Sequence, residues 1–270
     1  MVTPADADPT TLRTVTTTRY VTPLREGGSL PAIVEADDDG LYVLKFRGAG
    51  QGVKTLIAEV IVGELGRVLG LPVPEVVLVA LDPALGHNEP DQEIQDLIGR
   101  SAGLNLAMDY LPGSMTFNPL VPGNLDPALA SAVVWFDALT MNVDRTVRNP
   151  NLLCWHRRLY LIDHGAALYV HHAWHEPERA ARSAFGRIAD HVLLPFATGI
   201  PAAADRLLAV VTPEIIRTTV GLVPDEWLVE GDPFPTAADA RAAYEVFLRD
   251  RLAHAPTWVE EAIRAHRGVV

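Results

Sequence analysis

Three oxygen-bearing side chains in the second half of the sequence could act together by type and spacing. Asp144 follows a long apolar run, Asn149 comes five residues later, and Asp163 opens an Asp-His-Gly behind the apolar stretch Leu159-Tyr-Leu-Ile. Such a set suits phosphoryl transfer, where the protein positions groups and screens charge more than it makes or breaks covalent bonds to itself. Asp144 would orient an acceptor hydroxyl and take its proton. The amide oxygen of Asn149 and the carboxylate of Asp163 would hold Mg²⁺ against a triphosphate. Each piece alone is weak, because Asp-x(4)-Asn is ordinarily a turn, and Asp-His-Gly is a common turn that uses glycine's left-handed tolerance. Their joint placement after a buried helix and a short hairpin is what raises them.

The first half supplies the complementary parts. Lys45 closes an apolar stretch, Leu41-Tyr-Val-Leu-Lys-Phe46, where an unpaired ammonium would be costly or would lose its proton. Glu59 lies in the next helical segment, and a strand lysine held by a helix glutamate is a device for gripping the α- and β-phosphates of ATP. Lys45 snorkelling from an edge strand, with Glu59 exposed, is the alternative. Glu64 competes as a partner but points about 140° away on the helix. Gly27-Gly28-Ser29 sits between two strands, where backbone N–H groups could cradle phosphates. Arg47-Gly-Ala-Gly-Gln-Gly52 does not fit Gly-x(4)-Gly-Lys-Ser/Thr and is expected to be a flexible link.

The elements that must carry these residues can be traced from periodicity. Residues 12–22, 31–35 and 41–46 alternate as strands of a small antiparallel sheet, with a turn signal at Asp37-Asp-Asp-Gly40. Residues 54–69 carry helical apolar spacing and stop at Gly70. Two more strands are expected over 73–81 and 105–111, with 84–100 a polar loop between them. Pro112-Gly113 marks the division into residues 1–112 and 113–270. Beyond it, Asp126-Pro127 opens a buried helix to 142, strands over 151–155 and 158–162 flank His156-Arg157, and 177–270 is mainly amphipathic helix. The expected fold class is therefore α+β, a small sheet with one helix followed by a mostly helical half.

Composition narrows the function classes. The net charge of −12 argues against broad nucleic-acid or anionic-membrane binding. No 18-residue apolar stretch or basic-then-apolar leader is visible, so neither a membrane span nor secretion is expected. The single cysteine, Cys154, precludes an internal disulfide and fits a reducing cytoplasm. Of the 22 basic residues, all but Lys45 and Lys54 are arginine, which suggests that a retained lysine is needed as a compact ammonium. His171, His172 and His175 lack an acidic or cysteine partner at zinc spacing and are expected to face solvent or substrate. No Gly-x-Ser-x-Gly supports a hydrolase.

Asp-Arg-x(3)-Asn at 144–149, the isolated strand lysine at 45, and Glu59 eleven residues before Gly70-Leu-Pro-Val-Pro74 together resemble the HipA-like kinases. The likeness extends more distantly to phosphatidylinositol 3/4-kinases and covers about residues 20 to 260. It implies a bilobal protein-kinase-like fold using ATP and Mg²⁺. Asp144 would be the catalytic aspartate, Asn149 and Asp163 the metal ligands, and Lys45, paired to Glu59, the phosphate contact. Met108, Asp109, Tyr110 and Leu111 would be the hinge that meets adenine. By the same likeness Ser29 is a candidate for self-modification. Thr146 replaces the family's usual histidine, and the additional N-terminal domain of toxin–antitoxin members is not expected here. An antitoxin-type partner is therefore left open. The expected acceptor is a Ser/Thr hydroxyl of a protein. A small molecule or lipid head group, a nucleotide-binding scaffold, and AMP transfer are the alternatives.

Overall fold

The computed structural model describes residues 11–24, 30–50, 52–231 and 233–269. Two compact units are formed. One combines residues up to Leu56 with Pro74–Tyr110, and the other combines Ile57–Val73 with Leu111–Val270.

The first unit holds β1 (Thr14–Pro23), β2 (Ala32–Ala36), β3 (Leu41–Lys45), β4 (Val76–Leu81) and β5 (Gly103–Asp109). Alternation drives their arrangement. Val15, Val34, Tyr42, Leu44, Val77, Val79, Leu81 and Ala107 turn one face of each strand into a shared core. The strands close into a barrel in the order β1-β2-β3-β5-β4, which corrects the expectation of a small antiparallel sheet. Closure comes from a parallel pairing, Thr14 with Leu78 through Thr16 with Ala80, between strands some sixty residues apart. Pairing of this kind leaves no local sequence trace.

The expectation of one helix and a polar loop over 84–100 is also corrected. Residues Pro83–Asn88 form a 3₁₀ turn and Gln92–Arg100 form a helix. Asp91 caps that helix by accepting from Glu93 N–H at 3.0 Å, and Ile94, Leu97 and Ile98 are its buried stripe. Two charged or amide residues in its first turn hid an i, i+3, i+4 pattern.

A long helix, α1 (Val53–Val68), runs from the first unit into the second. We label the Gln92–Arg100 helix α2. Gly70, at φ 75°, stops α1 in a left-handed conformation that glycine adopts without strain.

In the second unit, α3 (Pro127–Thr140) is capped by Asp126, whose carboxylate accepts from Ala128 N–H at 2.9 Å, with Pro127 in the first turn. It is buried from Ala130 to its end, as its unbroken apolar run requires. A three-stranded sheet of β6 (Met115–Thr116), β7 (Leu152–Trp155) and β8 (Arg158–Leu161) follows Pro112. The helices α4 (Pro177–Ala181), α5 (Ile200–Val210), α6 (Pro213–Gly221), α7 (Asp225–Gly231), α8 (Ala237–Ala253) and α9 (Ala255–Val269) complete it. The last two helices, α8 and α9, are divided at His254. Thr236 caps α8, its hydroxyl accepting the Asp239 N–H at 3.1 Å and donating to the Asp239 carboxylate at 2.7 Å, and Trp258 of α9 is wholly buried against Trp135 of α3 at a 5.4 Å centroid distance.

Candidate active site

At the end of α3 the chain passes through Met141, at φ 55°, into the loop carrying Asp144. Asn142 Oδ1 accepts the Asp144 N–H at 3.1 Å and fixes the start of the loop. The carboxylate of Asp144 then receives two amides on one oxygen. Asn149 Nδ2 donates to Oδ2 at 2.7 Å and Asn151 Nδ2 donates to the same atom at 3.2 Å. A carboxylate only accepts, so Asn149 must present its nitrogen to Asp144, which leaves Oδ1 as its acceptor atom. Thr146 receives the Asn149 N–H on Oγ1 at 3.3 Å and donates its own N–H to Asn149 O at 2.9 Å. The result is a tight turn with Val147 and Arg148 exposed at its tip.

Asp163 follows β8 with its backbone in the left-handed region, φ 55°. Two residues on, Gly165 N–H donates to Glu59 Oε1 at 2.9 Å, and Glu59 is wholly buried. Glu59 of α1 thus contacts the turn bearing Asp163, a bond that residue spacing could not disclose. Glu64 bonds Arg67 at 2.9 Å along its own helix.

Lys45 belongs to the other unit. It ends β3 half-buried, on the strand face opposite the barrel core. Antiparallel pairing puts Lys45 beside Leu106 and Val43 beside Met108, so these four share that face. In the expected adenine segment, the Asp109 N–H is committed to Glu75 O at 2.9 Å and the Tyr110 N–H to Leu41 O at 3.0 Å. A purine base there would have to use other groups of Met108–Leu111. Burial and the neighbouring Glu75 push the Asp109 carboxyl above the usual range. Gly27, Gly28 and Ser29 lie outside the described residues.

Beneath the Asp144 loop is a charged cluster that sequence reasoning missed. Arg145 and Asp137 are both fully buried, joined by Arg145 Nε donating to Asp137 Oδ2 at 2.5 Å. His191 Nε2 meets the same oxygen at 2.9 Å, while its Nδ1 accepts the Leu193 N–H at 3.0 Å. With Nδ1 accepting, the imidazole is neutral and carries its proton on Nε2. Burial pushes the Asp137 carboxyl up, but the charge of Arg145 and the bond from His191 outweigh it and hold the group down to about 2. Burial pushes His191 below its ordinary value despite Asp137. The available signal was Asp137 itself, a carboxylate inside an otherwise apolar helix, since acids are rarely buried there unless paired.

Acid stability should report this cluster. Both groups bind fewer protons folded than unfolded, so stability falls with acidification. His191 contributes the loss as pH drops through about 6.5, its unfolded value, and Asp137 contributes a further loss as pH falls below the ordinary aspartate value of about 3.9. The melting temperature is expected to decline between pH 7.5 and 5.5, measured by calorimetry, and His191→Gln should flatten that decline. An equally steep decline in the variant would assign it to other groups.

The remaining histidines and the cysteine have other partners or roles. His171 is buried and meets Tyr244 Oη at 3.1 Å, correcting the expectation that it faces solvent or substrate. His175 lies 3.9 Å from Glu176 in an exposed pair. Cys154 stands in β7, its thiol pushed up by burial. Among the described residues, no three His, Cys, Asp or Glu side chains gather as a metal centre. Magnesium does not require one, because it commonly takes one or two protein oxygens and fills its shell with phosphate and water. Asn149 Oδ1 and the Asp163 carboxylate are donors of that kind. Among the described residues, no helix is long and apolar enough to cross a membrane.

A family model described as HipA-like kinase matches residues 18–254. No curated protein matches the sequence. Among solved structures, the Helicobacter pylori proinflammatory kinase CtkA is similar at a TM-score of 0.52 and 12% identity, covering 95% of this chain and 99% of that one. The Golgi casein kinase with Mn/ADP bound aligns at a TM-score of 0.47 and 13% identity, covering 93% and 73%. The likeness to CtkA is one of fold, and that fold is protein-kinase-like. The chain belongs to the HipA-like kinase family and is, by that membership, an ATP-dependent kinase.

Proposed function

We propose that this kinase transfers the γ-phosphoryl group of Mg-ATP to a serine or threonine hydroxyl of a protein, with Asp144 as the group that orients that hydroxyl and accepts its proton. The observation that carries the reading is the double amide clamp on Asp144 Oδ2, from Asn149 at 2.7 Å and Asn151 at 3.2 Å. It holds one oxygen and leaves the other to meet an acceptor. Bound Mg-ATP would supply the phosphoryl group and the charge that screens it. Asn149 Oδ1 and Asp163 would hold the metal, Lys45 would contact the phosphates, and Glu59 would steady the Asp163 turn through Gly165 N–H. Val43 and Lys45 are the half-buried members of the face they share with Leu106 and Met108, an ammonium beside apolar side chains. A protein acceptor is favoured over a small molecule by the turn tip beside Asp144, where Val147 is 65% exposed and Arg148 is exposed.

Parallel incubation with γ-labelled and α-labelled ATP tests the reaction itself. Label from the γ-position alone is expected on protein, and α-label on protein would mean AMP transfer. Metal dependence tests the ligands. ATP with Mg²⁺ should raise the melting temperature by binding the folded state, and Asp163→Asn should shrink that rise. An unchanged rise in the variant would remove Asp163 from the metal site.

A further inference from the structure

Asp144 and Asp163 come from separate chain segments, nineteen positions apart in the sequence. Both must be set in register for the reaction proposed above, because a misplacement near 1 Å can cost about 100-fold in rate. The amide clamp on Asp144 comes entirely from its own loop. Arg145 reaches beyond that loop. It is adjacent to Asp144 in the chain, and its guanidinium meets both residues that flank Asp163. Nη1 lies 3.3 Å from Ile162 O, and Nη2 lies 3.3 Å from His164 Nδ1. Nη1 also donates to Asn151 O, and Asn151 is a residue whose amide holds Asp144. Ile162 N–H donates to the same Asn151 carbonyl at 3.1 Å.

The opposite edge of the guanidinium is fixed by Asp137, and Asp137 in turn by His191. His191 belongs to a segment registered to the loop by backbone pairing. Val192 N–H donates to Arg145 O at 3.0 Å within an isolated antiparallel bridge between Thr146 and His191. A planar fork with donors in fixed directions can serve all these acceptors at once, and an ammonium cannot.

We propose that Arg145, oriented by Asp137 and His191, is a positioning residue that sets the distance between the Asp144 loop and the Asp163 turn without touching nucleotide or acceptor. The inference rests on the proposed roles of Asp144 and Asp163. It predicts a split between chemistry and binding that a stability role alone would not produce.

Three variants of the full chain test it: Arg145→Lys, His191→Phe and His191→Gln. The measurements are transfer of γ-label onto the protein itself and onto dephosphorylated casein, Mg-ATP affinity by titration calorimetry, and melting temperature. Arg145→Lys keeps the charge opposite Asp137 but loses the fork. Its transfer rate is expected to fall about 10- to 100-fold with Mg-ATP affinity kept within about twofold. His191→Phe should fall in the same way. His191→Gln should recover most of the loss, because the glutamine amide can reach Asp137 as Nε2 does.

A folded Arg145→Lys protein with full transfer overturns the inference, as does a rate loss in His191→Phe that glutamine leaves unrepaired. Equal losses of affinity and rate, or failure of all three variants to fold, would make the cluster a determinant of folding only, and that too overturns it. If His191→Phe alone fails to fold, slow transfer with native affinity in Arg145→Lys still supports the inference. A wild-type chain that transfers no label sinks the parent reading of Asp144 and Asp163, and this inference with it. That outcome is distinguishable from active wild type beside an equally active Arg145→Lys.

Discussion

Lys45→Met is expected to lower phosphoryl transfer by roughly 10²–10³-fold, the range for losing one group that stabilises developing charge, while the protein stays folded. Lys45 is half-buried on the outer face of β3, away from the barrel core of Tyr42 and Leu44, and methionine has a similar length. The ladder pairing with Leu106 uses backbone groups that the substitution leaves alone. Lys45→Arg is the sharper variant. It keeps the positive charge, so a purely electrostatic or solubility role would survive it. A contact requiring a compact ammonium at one point would not, because the guanidinium is larger and planar. Transfer of γ-label, measured on both variants after circular dichroism confirms folding, decides the matter. Near-normal turnover in Lys45→Arg would leave Lys45 a surface lysine and remove the proposed phosphate contact.

What could be read from the residues, and what could not, follows the range of the interactions. The helix over 127–140 was legible because Asp126-Pro127 is a start signal and the apolar run behind it has no exposed face. The β7–β8 hairpin was legible because its two strands meet across a two-residue turn, His156-Arg157, both at positive φ. Asn149 near Asp144 is likewise a local matter, a five-residue turn closed by Thr146. Barrel closure was not legible, because β1 and β4 pair across sixty positions and each looks like any half-buried strand. Nor was α2, whose three buried apolar residues are outnumbered by polar ones over nine positions. The cluster of Asp137, Arg145, His164 and His191 depends on four segments converging. Its members read singly as a stray acid, half of a motif, a turn residue and a loop histidine. The bond from Gly165 to Glu59 joins residues 106 positions apart, so the sequence could suggest that Glu59 had a partner without naming this one.

Asp144→Asn carries the largest consequence for mechanism. Its side chain keeps shape and one carbonyl oxygen, which can still accept from Asn149 and Asn151. The backbone around it is anchored separately, with the Asp144 N–H on Asn142 Oδ1 at 3.1 Å and the Asp144 carbonyl receiving Asn151 Nδ2 at 3.2 Å. The loop should therefore hold its path, and Mg-ATP affinity should stay near native, since the proposed metal and phosphate contacts come from other residues. What is lost is the capacity to take a proton. Turnover is expected to fall by roughly 10²–10⁴-fold, the usual contribution of a positioned general base. Asp163→Asn should instead weaken both binding and turnover, so the two aspartates separate when each quantity is measured on each variant. If Asp144 served only to brace the end of α3, its substitution would lower melting temperature, affinity and turnover together. Calorimetric titration with Mg-ATP beside a γ-label transfer assay distinguishes these patterns, and a well-folded Asp144→Asn protein with full turnover would sink the proposed mechanism.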